Sequence, residues 1–400
     1  MNPDKRRNLF IILILGALTT VSPFAIDFYL PAFPQIAAAM GTTAARVSLS
    51  LSSYFIGLAL GQIFYGPILD RFGRKRPIYF GLTLFILACV GCVMADSVET
   101  LIALRFLQAL GGCVAQVGSM AMVRDFFPVK EGAKVFSFMM LILGVSPLLA
   151  PTAGGLVATA FGWQAVFVLL GAVVFLILAT TYFFLPEGHQ PDLSVSLKIG
   201  PIFKSFADIL KQPQFQTYAL AGTFSFAGLL VYVTGSPIIF MDVFGLSPKA
   251  YGAVFAMLSV GFISASQLNL VLSRRFSSAQ IFRGALSLQS LIAVSFLVST
   301  LNGWNGLIGT VGFIFGLLFC LGLSNPNGSA MALAPFSQRA GTASALLGTM
   351  QIGVAALAST GVGFFETRTI LPTVIILAGT AVTGLLVLLV GSRRISKMVS

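Results

Sequence analysis

The chain has 400 residues, 57% hydrophobic and only 9% charged, with a formal net charge of +12. A soluble domain of that length carries far more polar surface, so the composition excludes one. The excess of cations needs no nucleic acid to explain it, because basic residues at a bilayer surface meet anionic lipid.

A helix crosses ~30 Å of hydrocarbon with about 20 apolar residues. On that measure the chain divides into twelve spans: 9–36, 47–69, 78–95, 100–123, 134–159, 165–185, 214–241, 250–273, 281–300, 305–330, 341–365 and 370–392. Lys5, Arg6 and Arg7 precede the first, which is too long for a signal peptide. With both termini in the cytoplasm, 20 of the 24 Lys and Arg fall on that side, including Lys198 and Arg339, while Arg46, Lys249 and Arg368 fall opposite. That bias follows the positive-inside rule. Residues 1–186 and 214–400 then form two six-helix bundles, joined by a connector at 187–213. The fold class expected is all-α integral membrane protein, in two pseudo-symmetric halves.

Span one contains AIDFYLPAFP at 25–34, which places Asp27 within apolar sequence. A carboxyl group there is expensive and calls for a partner or a task. Pro31 and Pro34 should bend the chain near the outer mouth. The turn after span two reads GPILDRFGRKRP, where a plain positive-inside loop accounts for the cations but not for Asp70, Gly66 or Gly73. The glycines permit close helix approach and a tight turn. Cys89 and Cys92 in span three form a CxxC without a His or Cys cluster nearby, and with Cys113 and Cys320 they read as small packing residues. Arg105 in span four lies at a depth similar to that of Asp27 by residue counting. A pair of this kind would let the proton affinity of Asp27 follow its distance from Arg105; the plainer alternative is a static pair joining two helices. Asp242 and Glu366 fall at helix ends, where they cost little. Span five carries GVSPLLAPTAGG, and Gly144, Pro147, Pro151, Gly154 and Gly155 predict a thin, kinked helix against which another can slide.

The connector includes GPIFKSFADILK, whose Ile202, Phe203, Phe206, Ile209 and Leu210 share one helical face. This predicts a helix on the cytoplasmic membrane surface. GSMAM at 118–122 is echoed by GSAMA at 328–332, as expected of repeated halves in a transporter. No GxxxxGK[ST] motif is present, and the single histidine, His189, lies in the connector. Neither an ATP-driven pump nor a membrane enzyme is indicated.

The loop GPILDRFGRKRP resembles the loop 2–3 motif of the major facilitator superfamily, differing in Pro67 and Ile68 ahead of Leu69. The resemblance implies a cytoplasmic latch of Gly66, Asp70, Gly73 and Arg74 with Arg124 and Asp125. LSRRFSSAQ at 272–280, the corresponding loop of the second half, lacks the acid. Arg105 matches the span-four arginine of proton-driven members, and GVSPLLAPTAGG is similar to the span-five motif of exporters. Together with Val123-Arg124-Asp125 and Thr234-Gly235-Ser236-Pro237, AIDFYLPAFP resembles the twelve-span drug:proton antiporters of the Bcr/CflA branch. This implies export of hydrophobic or amphiphilic compounds by alternating access at a bacterial inner membrane. A proton gradient would supply the energy, with no bound cofactor or metal and no catalytic residue. Asp27 and Arg105 would couple the proton. Expected partners are a small-molecule substrate, protons and lipid, with no nucleic acid, and the expected state is a monomer. Uptake linked to protons, or export of one endogenous metabolite, is the alternative. Substrate contacts implied by the fold are Tyr29, Tyr54, Gln62, Gln108, Gln116, Met120, Tyr232, Asn269, Asn325, Asn327 and Gln351, each of which could instead bond helix to helix.

Overall fold

The computed structural model describes residues 3–127, 129–193, 197, 199–336, 340–365 and 369–399; Lys198, Arg339, Glu366 and Arg368 lie outside them. Among the described residues the secondary structure is helical and without strands. Twelve helices are long and apolar enough to cross a membrane: Asn8–Ala39, Ala44–Phe72, Lys75–Val93, Val98–Phe126, Ile142–Phe161, Gln164–Phe184, Pro213–Val243, Pro248–Leu272, Ser278–Leu301, Leu307–Leu333, Gly341–Phe364 and Leu371–Ile395. Each overlaps its predicted span. The spans run close to the ruler because only a helix satisfies its own backbone in hydrocarbon.

Span one is not a single α-helix. An α-helix ends at Asp27, a 3₁₀ turn covers Leu30–Ala32, and a second helix runs from Phe33 to Ala39. Two prolines explain the break. Pro31 has no N–H for the carbonyl of Asp27, and Pro34 has none for that of Leu30. The last α-type bond, Phe28 N–H to the Phe24 carbonyl, is 3.0 Å. Ala32 N–H then goes to the Tyr29 carbonyl at 3.1 Å, tightening the turn. Span seven is also irregular at its C-terminal end: its α-helix stops at Pro237 and continues as a π-helix over Ile238–Val243.

The chain forms two compact units, Met1–Thr42 with Ser53–Leu197, and Thr43–Ser52 with Lys198–Ser400. Residues 187–193 group with the first unit, and the helix Ile199–Leu210 groups with the second. That helix forms where expected, but part of its apolar face is covered by protein. Phe206 and Ile209 are buried while Phe203 is exposed, and the helix packs against spans seven and eleven. In the first unit, span one packs on spans four, five and six, and span three on spans four and six. In the second, span seven packs on spans ten, eleven and twelve.

Candidate functional site

Asp27 and Arg105 are both buried in the first unit, but no ion pair joins them. The guanidinium is held by other groups. Its Nη2 donates to the Ala25 carbonyl at 3.0 Å and its Nη1 to Gln108 Oε1. Its Cζ sits 4.5 Å from the Tyr29 ring centre, 4.3 Å from Tyr54 and 5.9 Å from Phe167. Arg105 thus occupies a cage of aromatic faces, which attract a cation through the ring quadrupole. Nε has no hydrogen-bond partner among the described residues.

Helical geometry explains the missing pair. Residues 25 and 29 are one turn apart and share a face, while residue 27 projects to the opposite side. Span one therefore offers Ala25 and Tyr29 to span four and turns Asp27 towards span five. There Ser146 neighbours the Asp27 carboxyl. The buried Ser146 Oγ nevertheless lacks a partner at hydrogen-bonding geometry, so the contact is one of proximity.

Span five is helical through Pro147 and Pro151. Each proline withholds an N–H from the residue four before it, leaving the carbonyls of Leu143 and Pro147 without their helical donors. Gly144 is half-buried, whereas Gly154 and Gly155 are buried. Gly155 accepts the Thr159 hydroxyl at 2.7 Å. Gly154 lies directly against the backbone of Phe28.

Of the residues expected to form the latch, Asp70, Arg74 and Asp125 meet at the other end of this unit. Arg74 Nε donates to Asp125 Oδ2 at 2.8 Å and Nη2 to Asp125 Oδ1 at 3.4 Å, a two-pronged contact. Its Nη1 donates to Asp70 Oδ1 at 2.6 Å. Burial alone would lower the Arg74 pKa, but the hydrogen bonds and charges of Asp125 and Asp70 outweigh it and raise the value. Gly73 adopts φ +81°, a left-handed turn open to glycine. Two expected members differ. Arg124 is exposed and has no ion pair among the described residues. Gly66 lies within the helix Ala44–Phe72, and a Cβ there would meet nothing within 4 Å, so no close approach requires it.

Twelve apolar helices, a charged turn between spans two and three, and a buried arginine in span four now form one pattern, and residues 15–360 match that of the Major Facilitator Superfamily. The chain belongs to this family. It is 33% identical over 376 residues to a bicyclomycin resistance protein homolog of Haemophilus influenzae, covering 93% of each chain. It is 29% identical over 384 residues to the multidrug resistance protein MdtL of Shewanella oneidensis, covering 96% of this chain and 95% of that one. Its fold is similar to the crystal structure of a bacterial homolog of the human lysosomal transporter Spinster, with a TM-score of 0.71 at 16% identity, covering 98% and 96% of the two chains. This major facilitator is thus a multi-pass membrane transporter and not an enzyme.

In this facilitator several expected substrate contacts hold helices together. Gln108 is fully buried, accepting from Arg105 and donating to Cys89 Sγ at 2.9 Å. Asn327 Nδ2 donates to Asn269 Oδ1 at 2.6 Å and to the Leu323 carbonyl at 2.8 Å. Gln351 Nε2 donates to Asn325 Oδ1 at 3.2 Å. Tyr29 and Tyr54 are buried walls of the Arg105 cage. Tyr232 stacks on Phe255 with centroids 5.6 Å apart and lines a small internal cavity with Gln289. Gln62, Gln116 and Met120 are half-buried on spans two and four.

Sequence reasoning missed Glu187. Its carboxylate accepts the backbone N–H of Arg74 at 2.8 Å and of Lys75 at 3.2 Å, and so caps span three. The cap also opposes the positive end of the helix dipole. Asp192 N–H adds a 3.2 Å bond to the Asp70 carbonyl. The available sequence signal was the acid in LPEGHQPD, directly after span six.

Proposed function

We propose that this facilitator is a Bcr/CflA-type exporter of small hydrophobic or amphiphilic compounds, driven by inward proton flow across a bacterial inner membrane, with both termini cytoplasmic. The observation that carries the proton-coupling part is Asp27, the one acid among the described residues that is buried within a span. The names of the bicyclomycin and multidrug resistance relatives support the export part. Asp27 stands at the broken end of a helix, where local rearrangement meets less resistance than within an intact one.

Asp27 takes a proton from the outer side and releases it to the cytoplasm, assisted by ~2.3 kcal/mol per charge per 100 mV of membrane potential. Arg105 does not need to touch the carboxylate to take part. It grips span one at Ala25 and Tyr29, on both sides of Asp27, so a change of charge at Asp27 acts on a segment that Arg105 already holds. The test uses energised inside-out vesicles with bicyclomycin and a panel of lipophilic antibiotics. Substrate-induced proton release should occur with the native chain and disappear in Asp27→Asn. Retained coupling in that variant would overturn the mechanism. Accumulation confined to right-side-out vesicles would make the protein an uptake permease instead.

A further inference from the structure

Spans one and five touch backbone to backbone where span one breaks. A Cβ built on Gly154 would lie 2.1 Å from the Phe28 carbonyl oxygen, 2.8 Å from its carbon and 3.0 Å from the Phe28 Cα. All three are backbone atoms and cannot rotate away as a side chain can. To regain even a 3.0 Å contact, the peptide would retreat by about 1 Å.

Part of the helical ladder around that peptide is missing. The Asp27 carbonyl loses its donor to Pro31, and the Phe28 carbonyl loses its own because Ala32 N–H turns to Tyr29. A backbone freed of its ladder takes its position from outside contacts. Span four supplies one set, the Arg105 bond to Ala25 and the stacked Tyr29 ring. Span five supplies the other through the bare Cα of Gly154.

We propose that Gly154 is a positioning residue for Asp27, setting the depth and orientation of its carboxyl by seating the neighbouring Phe28 carbonyl. This rests on the reading of Asp27 as the proton carrier. Few other groups can set the electrostatics there. Arg105 is the charged residue that span four brings to this level, and spans five and six carry no charge between residues 142 and 184. Span one has no other charge between residues 8 and 45, and Ser146 is the polar neighbour on span five.

The same helix pair supplies a matched control. A Cβ on Gly16 would lie 2.5 Å from Ile142 Cδ1, also too close for a real contact but against the tip of a flexible side chain. Reconstituted native protein, Gly154→Ala and Gly16→Ala would be compared by the pH profile of proton-coupled transport and by the Asp27 carboxyl stretch in infrared difference spectra, assigned with Asp27→Asn. Gly154→Ala should move the pH midpoint by at least about half a unit, roughly threefold in proton concentration, and shift the carboxyl band. Gly16→Ala should leave both in place. Equal behaviour of the two variants would overturn the proposal, whereas retained coupling in Asp27→Asn would overturn the underlying reading. Should Gly154→Ala fail to fold, isotope-edited infrared of native protein labelled at the Phe28 carbonyl decides. A band away from the helical amide position supports the open carbonyl, and a helical one refutes it.

Discussion

Replacing Asp125 by Asn removes one charge from the Arg74 cluster with little change of shape. The Arg74 and Asp125 side chains are only 8% and 14% exposed, so their contact is well shielded, whereas the Asp70 side chain is 48% exposed. Removing a buried partner of a hydrogen-bonded pair costs about 3–5 kcal/mol when the other charge is left alone. Here Asp70 still holds the guanidinium, which reduces the expected loss in Asp125→Asn to about 2 kcal/mol. Asp70→Asn removes a half-solvated ion pair and should cost no more than about 1 kcal/mol. Thermal unfolding of purified protein in mild detergent, at one scan rate for all variants, gives the comparison. At about 2–4 °C per kcal/mol, Asp125→Asn should fall by at least about 4 °C and Asp70→Asn by half of that or less. Equal losses, or a larger loss in Asp70→Asn, would refute the claim that burial ranks the two carboxylates.

Glu187→Gln should weaken the cap of span three by about 1 kcal/mol, seen as faster hydrogen exchange at the Arg74 and Lys75 amides. Gly73→Ala places a Cβ in a left-handed turn, 3.3 Å from Glu187 Oε2, and should lose about 1 kcal/mol in the same thermal assay. Arg105→Lys keeps the charge but loses the planar, stacked guanidinium, so substrate-induced proton release should drop at least about tenfold. Asn327→Ala strands the Asn269 oxygen and should cost about 1 kcal/mol, with Asn269→Ala adding less than additively in the double variant.

Hydropathy made the twelve spans legible because lipid allows no other way to satisfy a buried backbone. Pro31 and Pro34 likewise announced the irregularity beside Asp27, since a missing N–H acts on the carbonyl four residues earlier whatever the surroundings. That Asp27 and Arg105 would not pair was not legible. Counting residues gives depth along a helix axis but not which face meets which neighbour, and Ala25 and Tyr29 hold the face that Asp27 would have needed. Gln108, Asn269 and Asn327 are polar residues in spans, a pattern shared by ligand contacts and helix-to-helix bonds; only packing separates the two. Glu187 was hidden for another reason. Its partners are backbone N–H groups, which every residue but proline possesses, so no partner side chain marks the site.

The Glu187 cap also sets an order for synthesis. The Arg74 amide and the carboxylate that receives it are separated by 113 residues of chain. At translation rates of about 5–20 residues per second, span three would wait about 6 to 23 s after its first turn is made before its cap emerges. During that interval spans four, five and six are still being delivered, so Arg74 can already meet Asp70 and then Asp125 while its backbone amide waits for the sixth. A ribosome-bound chain stalled before residue 187 should therefore show fast hydrogen exchange at the Arg74 and Lys75 amides.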